Sequence, residues 1–224
     1  EMVKDIFPGA DSSAPRRFAA MGGHVYFSAA GSNVQGNELW RTDGTAAGTI
    51  LVKDINPTTG VSVSNASSDI RFPSAVGGKL YFRARSAPGG LNELWVSDGT
   101  EAGTVVLHDA GPVNVLMATD DRVYFEGTDA INGTEFWTTD GTVAGTVLLK
   151  DIEPGAASSD SYSLGFYYLH ENDAVPVVEL SPGVALFVAA SADLGSELWK
   201  TNGTEAGTKL IKDINPGSLS AFDN

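Results

Sequence analysis

Apolar and polar positions alternate in short runs along this chain, and the runs recur. HVYFSA at 24–29, KLYFRA at 79–84, RVYFEG at 122–127 and ALFVAA at 185–190 are aromatic and β-branched segments. Their composition and near-alternating pattern suit strands better than helices. Phe27, Phe82, Phe125 and Phe187 each stand 10 or 11 residues ahead of a glutamate that opens a second recurring segment. That segment reads ELWRTDGTAAGTILVKDI at 38–55, ELWVSDGTEAGTVVLHDA at 93–110, EFWTTDGTVAGTVLLKDI at 135–152 and ELWKTNGTEAGTKLIKDI at 197–214. The copies align without a gap, and Trp40, Trp95, Trp137 and Trp199 each precede the Lys or His of the closing KDI or HDA by 13 residues.

The Asp-Gly-Thr-x-x-Gly-Thr portion supplies an Asx-type turn and glycines free to adopt positive φ, so it predicts a hairpin that makes ELWxx and TxLVKDI antiparallel neighbours. Prolines after KDI (Pro8, Pro57, Pro154, Pro216) end that strand, because proline cannot donate to a ladder. A further strand is expected ahead of each Gly-Gly turn, in RRFAAM and IRFPSAV at 16–21 and 70–76. Four strands per unit, at the period of known blade repeats, predict an all-β fold: a β-propeller of four-stranded antiparallel blades, alone or within a larger ring. An open β-solenoid array is the alternative. The units fall at about 7–55, 56–110, 111–152 and 153–214 of one repeat domain, with a surplus KDI strand at 1–6 and a partial unit at 215–224. Starting at Glu1 and stopping within a repeat, the chain reads as a piece of something longer.

Charge narrows the partners. With 14 basic against 28 acidic residues and a net charge of −14, nucleic acid and anionic membrane are disfavoured. No apolar run is long enough to cross a bilayer, so no membrane insertion is expected. The absence of cysteine removes disulfides, thiol catalysis and thiolate metal sites.

The quoted segments resemble a bacterial ELWxxDGTxxGTxxVKDIxPG tandem-repeat family, some of whose members are described as hyalin-like. The resemblance covers nearly the whole chain. It implies an exported, modular protein, secreted or at the bacterial cell surface, with a binding or adhesion role, and it brings no catalytic residue. Asn202 in place of the turn aspartate, Phe136 in place of leucine, and His108 and Ala110 in the KDI position depart from the pattern. The third unit is expected to be the least regular.

Residues shared by all copies read as frame: the four tryptophans as core, Glu38, Glu93, Glu135 and Glu197 as structural hydrogen-bond acceptors, and Asp43, Asp98, Asp140 and Asn202 as turn caps. No cofactor is expected. Calcium bound by repeated carboxylates is the one candidate, against which stands the need for six to eight oxygen ligands. Function is sought where the repeat breaks. The longest interruption separates Pro154 from Phe187 and holds Tyr162, Phe166, Tyr167, Tyr168, His170, Glu171 and Asp173, rings and acids suited to a glycan or protein ligand. The expected function is a non-catalytic binding or scaffold module. The alternatives are a propeller-type hydrolase or lyase using His170, and a structural spacer that self-associates or joins further repeats. His24 and His108 sit in ordinary strand positions, and the chain has no GxSxG, HExxH, GxGxxG or P-loop motif.

Overall fold

The computed structural model describes residues 2–32, 35–58, 66–109, 111, 113–119, 122–159, 177–214 and 216–217. Among the described residues, sixteen strands make four sheets of four. The first holds β1 (Arg16–Met21), β2 (His24–Ala30), β3 (Asn37–Thr42) and β4 (Ile50–Lys53). The second holds β5 (Arg71–Val76), β6 (Lys79–Ala84), β7 (Glu93–Ser97) and β8 (Val105–His108). The third is built from β9 (Val113–Ala118), β10 (Val123–Asp129), β11 (Gly133–Thr139) and β12 (Val147–Leu148). The fourth comprises β13 (Val177–Ser181), β14 (Val184–Ser191), β15 (Gly195–Thr201) and β16 (Lys209–Lys212). Every sheet is an antiparallel meander in sequence order, the blade from which β-propellers are built. The chain groups into two compact units, Glu1–Asp109 and Ala110–Asn224, each containing two blades.

The register explains the repeat. Phe27 faces Trp40, Phe82 faces Trp95, Phe125 faces Trp137 and Phe187 faces Trp199 across neighbouring strands. In the second and third blades the paired rings stack with centroids 6.5 and 6.3 Å apart. Side chains alternate across a strand, so Tyr26 and Leu39 lie on the face opposite Phe27 and Trp40. A bulge between Leu39 and Trp40 shifts the pairing with β4, so that Leu51 follows the tryptophan face and Val52 the leucine face.

Blade contacts within each unit obey one rule. In unit 1 the Phe82, Ala84 and Trp95 face of the second blade packs on Tyr26, Leu39, Val52 and Ile55 of the first. In unit 2 the Phe187, Ala189 and Trp199 face of the fourth packs on Tyr124, Phe136, Leu149 and Ile152 of the third. Phe136 therefore fills the place of a repeat leucine inside a core. The third blade is the one whose outer strand shrinks to two residues.

The DGT turns close on themselves. Asp43 Oδ1 accepts from the Thr45 amide and hydroxyl at 2.9 and 2.7 Å, and the Thr45 hydroxyl accepts from the Gly48 amide. Asp98, Asp140 and Asn202 repeat the arrangement with Thr100, Thr142 and Thr204. These bonds hold the exposed Asp43 and Asp98 carboxyls below their ordinary range.

Candidate functional site

The repeated glutamates accept hydrogen bonds from backbone and side chains around the end of their blades. Glu38 is fully buried and accepts from the amides of Ile55 at 2.7 Å, Asn56 at 3.3 Å and Ser68 at 3.1 Å. It thereby ties β3 to the end of β4 and to the segment entering the second blade. Burial, with the Asp54 charge adding to it, pushes the Glu38 carboxyl up to about 8 against the pull of those amides. Glu135 does the same in unit 2, accepting from the Glu153 amide at 3.1 Å and from the Ser159 hydroxyl, and burial raises it to about 7. Glu197 accepts from the Ile214 amide at 3.1 Å. Among the described residues, Glu93 accepts from the Ser86 amide and hydroxyl and from the Trp95 indole.

Ser68 and Ser159 are stitches between blades. The Ser68 amide donates to Asn37 O and its carbonyl accepts from the Arg85 amide; Ser159 joins Thr134 and Ala190 in the same way. Close approach here requires glycine. A Cβ at Gly36 would stand 2.5 Å from the Ala66 backbone, and one at Gly133 would stand 1.8 Å from Ala157 O.

Tyr162, Phe166, Tyr167, Tyr168, His170, Glu171 and Asp173 lie outside the described residues. Of the other histidines, His24 contacts Gly22 O through Nδ1 and His108 is buried in β8. Among the described residues no group of three or more His, Asp or Glu side chains is placed to hold a metal ion.

Arginines make the cluster that a comparison of repeats does not single out. Arg17 on β1, Arg71 on β5 and Arg85 just beyond β6 all act on Arg83 of β6, so four of the seven arginines in the chain gather in unit 1. Asp69 sits among them, 3.2 Å from Arg71 Nε and 3.8 Å from an Arg85 terminal nitrogen. Arg83 lies over the Phe72 ring, 5.1 Å from its centroid. Burial, and then the Arg71 charge, push the Arg83 guanidinium down to about 10, with Arg85 and Arg17 adding to the fall and Asp69 opposing it.

The backbone beneath this cluster is strained in duplicate. Arg17 and Phe72 occupy equivalent positions of β1 and β5 and hold φ of 59° and 50°, inside the register shifts of the two strands. Left-handed backbone costs a side-chain-bearing residue about 1–2 kcal/mol, and such strain gathers where a site must be held in shape. The arrangement is a concentration of planar cations, the groups that grip carboxylate or sulfate through paired N–H donors.

Unit 2 holds an open cleft of about 480 Å³ lined by Lys150, Trp199, Glu205, Thr208, Lys209 and Leu210. Among the described residues, the Trp199 indole N–H there is buried with no hydrogen-bond partner.

No protein-family model matches the chain, and no curated protein matches its sequence. Among solved structures it is similar to a prolyl endopeptidase over 84% of its length at 13% identity and a TM-score of 0.45, spanning 24% of that protein. It is similar to a Mycobacterium tuberculosis puromycin-hydrolyzing peptidase over 96% of its length, at 13% identity and a TM-score of 0.45, spanning 30% of that chain. The β-propeller domain of the Trilobed protease from Pyrococcus furiosus matches 92% of the chain and 73% of its own length, at 13% identity and a TM-score of 0.37. Against the two peptidases the chain thus spans less than a third of the partner's length. At these identities and scores no activity, substrate or partner transfers to this chain.

Proposed function

We propose that the chain is a non-catalytic binding and scaffold module of a secreted or cell-surface bacterial protein, and that unit 1 presents its arginine cluster to an acidic glycan, one bearing carboxylate or sulfate. The observation that carries the reading is the gathering of Arg17, Arg71 and Arg85 about Arg83, with Asp69 against Arg71 and Arg85, in a chain of net charge −14. On such a surface a compact positive patch focuses attraction on small anionic groups while the rest of the molecule repels extended polyanions. Repeated chemical groups support the same reading from the other side: the DGT aspartates and connector glutamates are engaged in turns and joints. The ELWxxDGTxxGT resemblance adds export and modularity.

The aromatic segment holding Tyr162, Phe166, Tyr167, Tyr168, His170, Glu171 and Asp173 is the proposed second contact. Its deletion must spare Ser159, which bridges two blades.

Binding is tested by titrating uronate-bearing and neutral oligosaccharides of equal length. Arg71→Ala and Arg85→Ala, both at partly exposed positions, are expected to weaken acidic-glycan binding roughly tenfold or more, the scale of a lost charge-assisted bond of about 1.5–3 kcal/mol. Added salt is expected to weaken it further. Equal affinity for the neutral sugars, or indifference to both substitutions, overturns the reading. Binding of this kind requires no calcium; a melting temperature that rises with added calcium would call for a metal site as well.

A further inference from the structure

Each blade has a leading face, carrying the Phe–Trp pair, and a trailing face, carrying the Tyr and Leu positions. Inside both units a trailing face is covered by the leading face of the next blade. Tyr26, Leu39, Val52 and Ile55 are buried in this way in unit 1, and Tyr124, Phe136, Leu149 and Ile152 in unit 2.

The fourth blade breaks the rule. Its matching positions are Leu186, Leu198, Ile211 and Ile214, and the last two are 47% and 56% exposed. Val178, on the same side of β13 as Leu186 is of β14, is 60% exposed, and Leu180 is 65% exposed. This is a contiguous apolar face of the kind that elsewhere in the chain is core.

At the other end of the chain, the first blade has a leading face of Phe27, Ala29, Trp40 and Leu51, against which Ile6 packs. Lys4 Nζ donates to Thr49 O at 2.7 Å, much as Lys53 Nζ donates to Glu101 O of the second blade at 3.3 Å. Residues 4–9 read KDIFPG and residues 212–217 read KDINPG, alike except for Phe7 against Asn215. Lys4 and Ile6 therefore do for the first blade what Lys53 and Ile55 do for the second: they imitate the trailing edge of a preceding blade.

The chain thus carries both halves of its own internal interface, one exposed and the other covered by a short imitation of it. We propose that two copies of this chain associate head to tail, the trailing face of the fourth blade of one on the leading face of the first blade of the other, with Lys212–Ile214 taking the place of Lys4–Ile6. Such a contact is heterologous, so successive copies either close a ring or extend a filament. Residues 4–6 act as a competitive cover that sets the concentration at which assembly begins. Assembly does not depend on the arginine cluster, and Arg71→Ala is expected to leave it untouched.

Sedimentation velocity across a concentration series of the full chain tests it. The wild type is expected to gain mass with concentration. Ile6→Asp, which loosens the cover, should assemble at concentrations ~10-fold lower, equivalent to about 1.4 kcal/mol. Ile214→Asp, at a site already exposed in the single chain, should abolish growth. Labelled Ile214→Asp protein still has a usable head and should co-sediment with the wild type. Assembly by Ile6→Asp alone, with the wild type remaining single, supports the proposal, since the intact cover then holds the face shut. The proposal is overturned if wild type and Ile6→Asp both stay single throughout, or if, where the wild type grows, Ile214→Asp assembles like it or the labelled variant is excluded.

Discussion

Glu38 and Glu93 occupy the same position of the same repeat, yet they hold different parts of the molecule. Glu38 reaches forward, to the Ile55 and Asn56 amides that end its sheet and to Ser68 at the entrance of the next. Glu93 turns back on Ser86 and Trp95. The downstream segments differ in sequence: KDI after Glu38, HDA after Glu93, where the chain divides between Asp109 and Ala110. Among the described residues, the bonds of Glu38 reach the entrance of the next blade and those of Glu93 lie within its own.

The largest test of that contrast is truncation. Glu38→Ala leaves the Ile55 and Asn56 amides buried without their acceptor, so the expected loss is about 2–5 kcal/mol. Glu93→Ala should cost about 1 kcal/mol, because its bonds are local and nearer solvent. Urea midpoints measure both, and equal losses would erase the distinction.

Next in size is a pH effect. Glu38 and Glu135 are raised to about 8 and about 7 from an ordinary 4.5, so the folded state favours their neutral forms. Their contribution is fully present below the ordinary value and is lost as pH rises through the raised ones. Urea midpoints should therefore fall between pH 5 and 9, and Glu38→Gln should flatten the upper part of that fall. Acidification acts on a different group: Asp43 and Asp98, held low by Thr45 and Thr100, lose their contribution as the pH drops.

The smallest effect concerns a turn. Asn202 accepts from the Thr204 amide at 3.2 Å where Asp43 accepts from Thr45 at 2.9 Å. Asn202→Asp should raise the thermal midpoint near neutral pH by the equivalent of roughly 0.5 kcal/mol, the scale of one modest hydrogen bond. The gain should vanish in acid, and a gain that persists there would show that charge is not its source.

The sheets were legible from residues alone because local signals agreed: alternating Tyr-Phe and Leu-Trp strands, a turn whose Asp and Thr bond each other, and prolines that stop the outer strand. The facing of Phe27 on Trp40 follows from the length of the hairpin. The arginine cluster was not legible. Arg83 stands where other copies carry Ser28, Glu126 and Val188, and Arg17 and Arg71 come from first strands of different blades. Comparing copies highlights what they share, whereas Arg71 and Arg83 meet through the pairing of β5 with β6, and Arg17 joins them from the first blade. The one signal in the residues was the crowding of arginine into the first half of an acidic chain.

The self-contained DGT turn also bears on the order of folding. Thr42 and Thr49 meet across seven residues, while the Glu38 bonds to Ile55 and Ser68 span 17 and 30. Short hairpins close in roughly 1–10 μs, and longer loops carry a higher closure entropy. Each β3-type hairpin is thus placed to form early and by itself, and the glutamate joint locks afterwards, when two formed hairpins collide. Changes in the turns should then alter the refolding rate, and changes at Glu38 chiefly the unfolding rate.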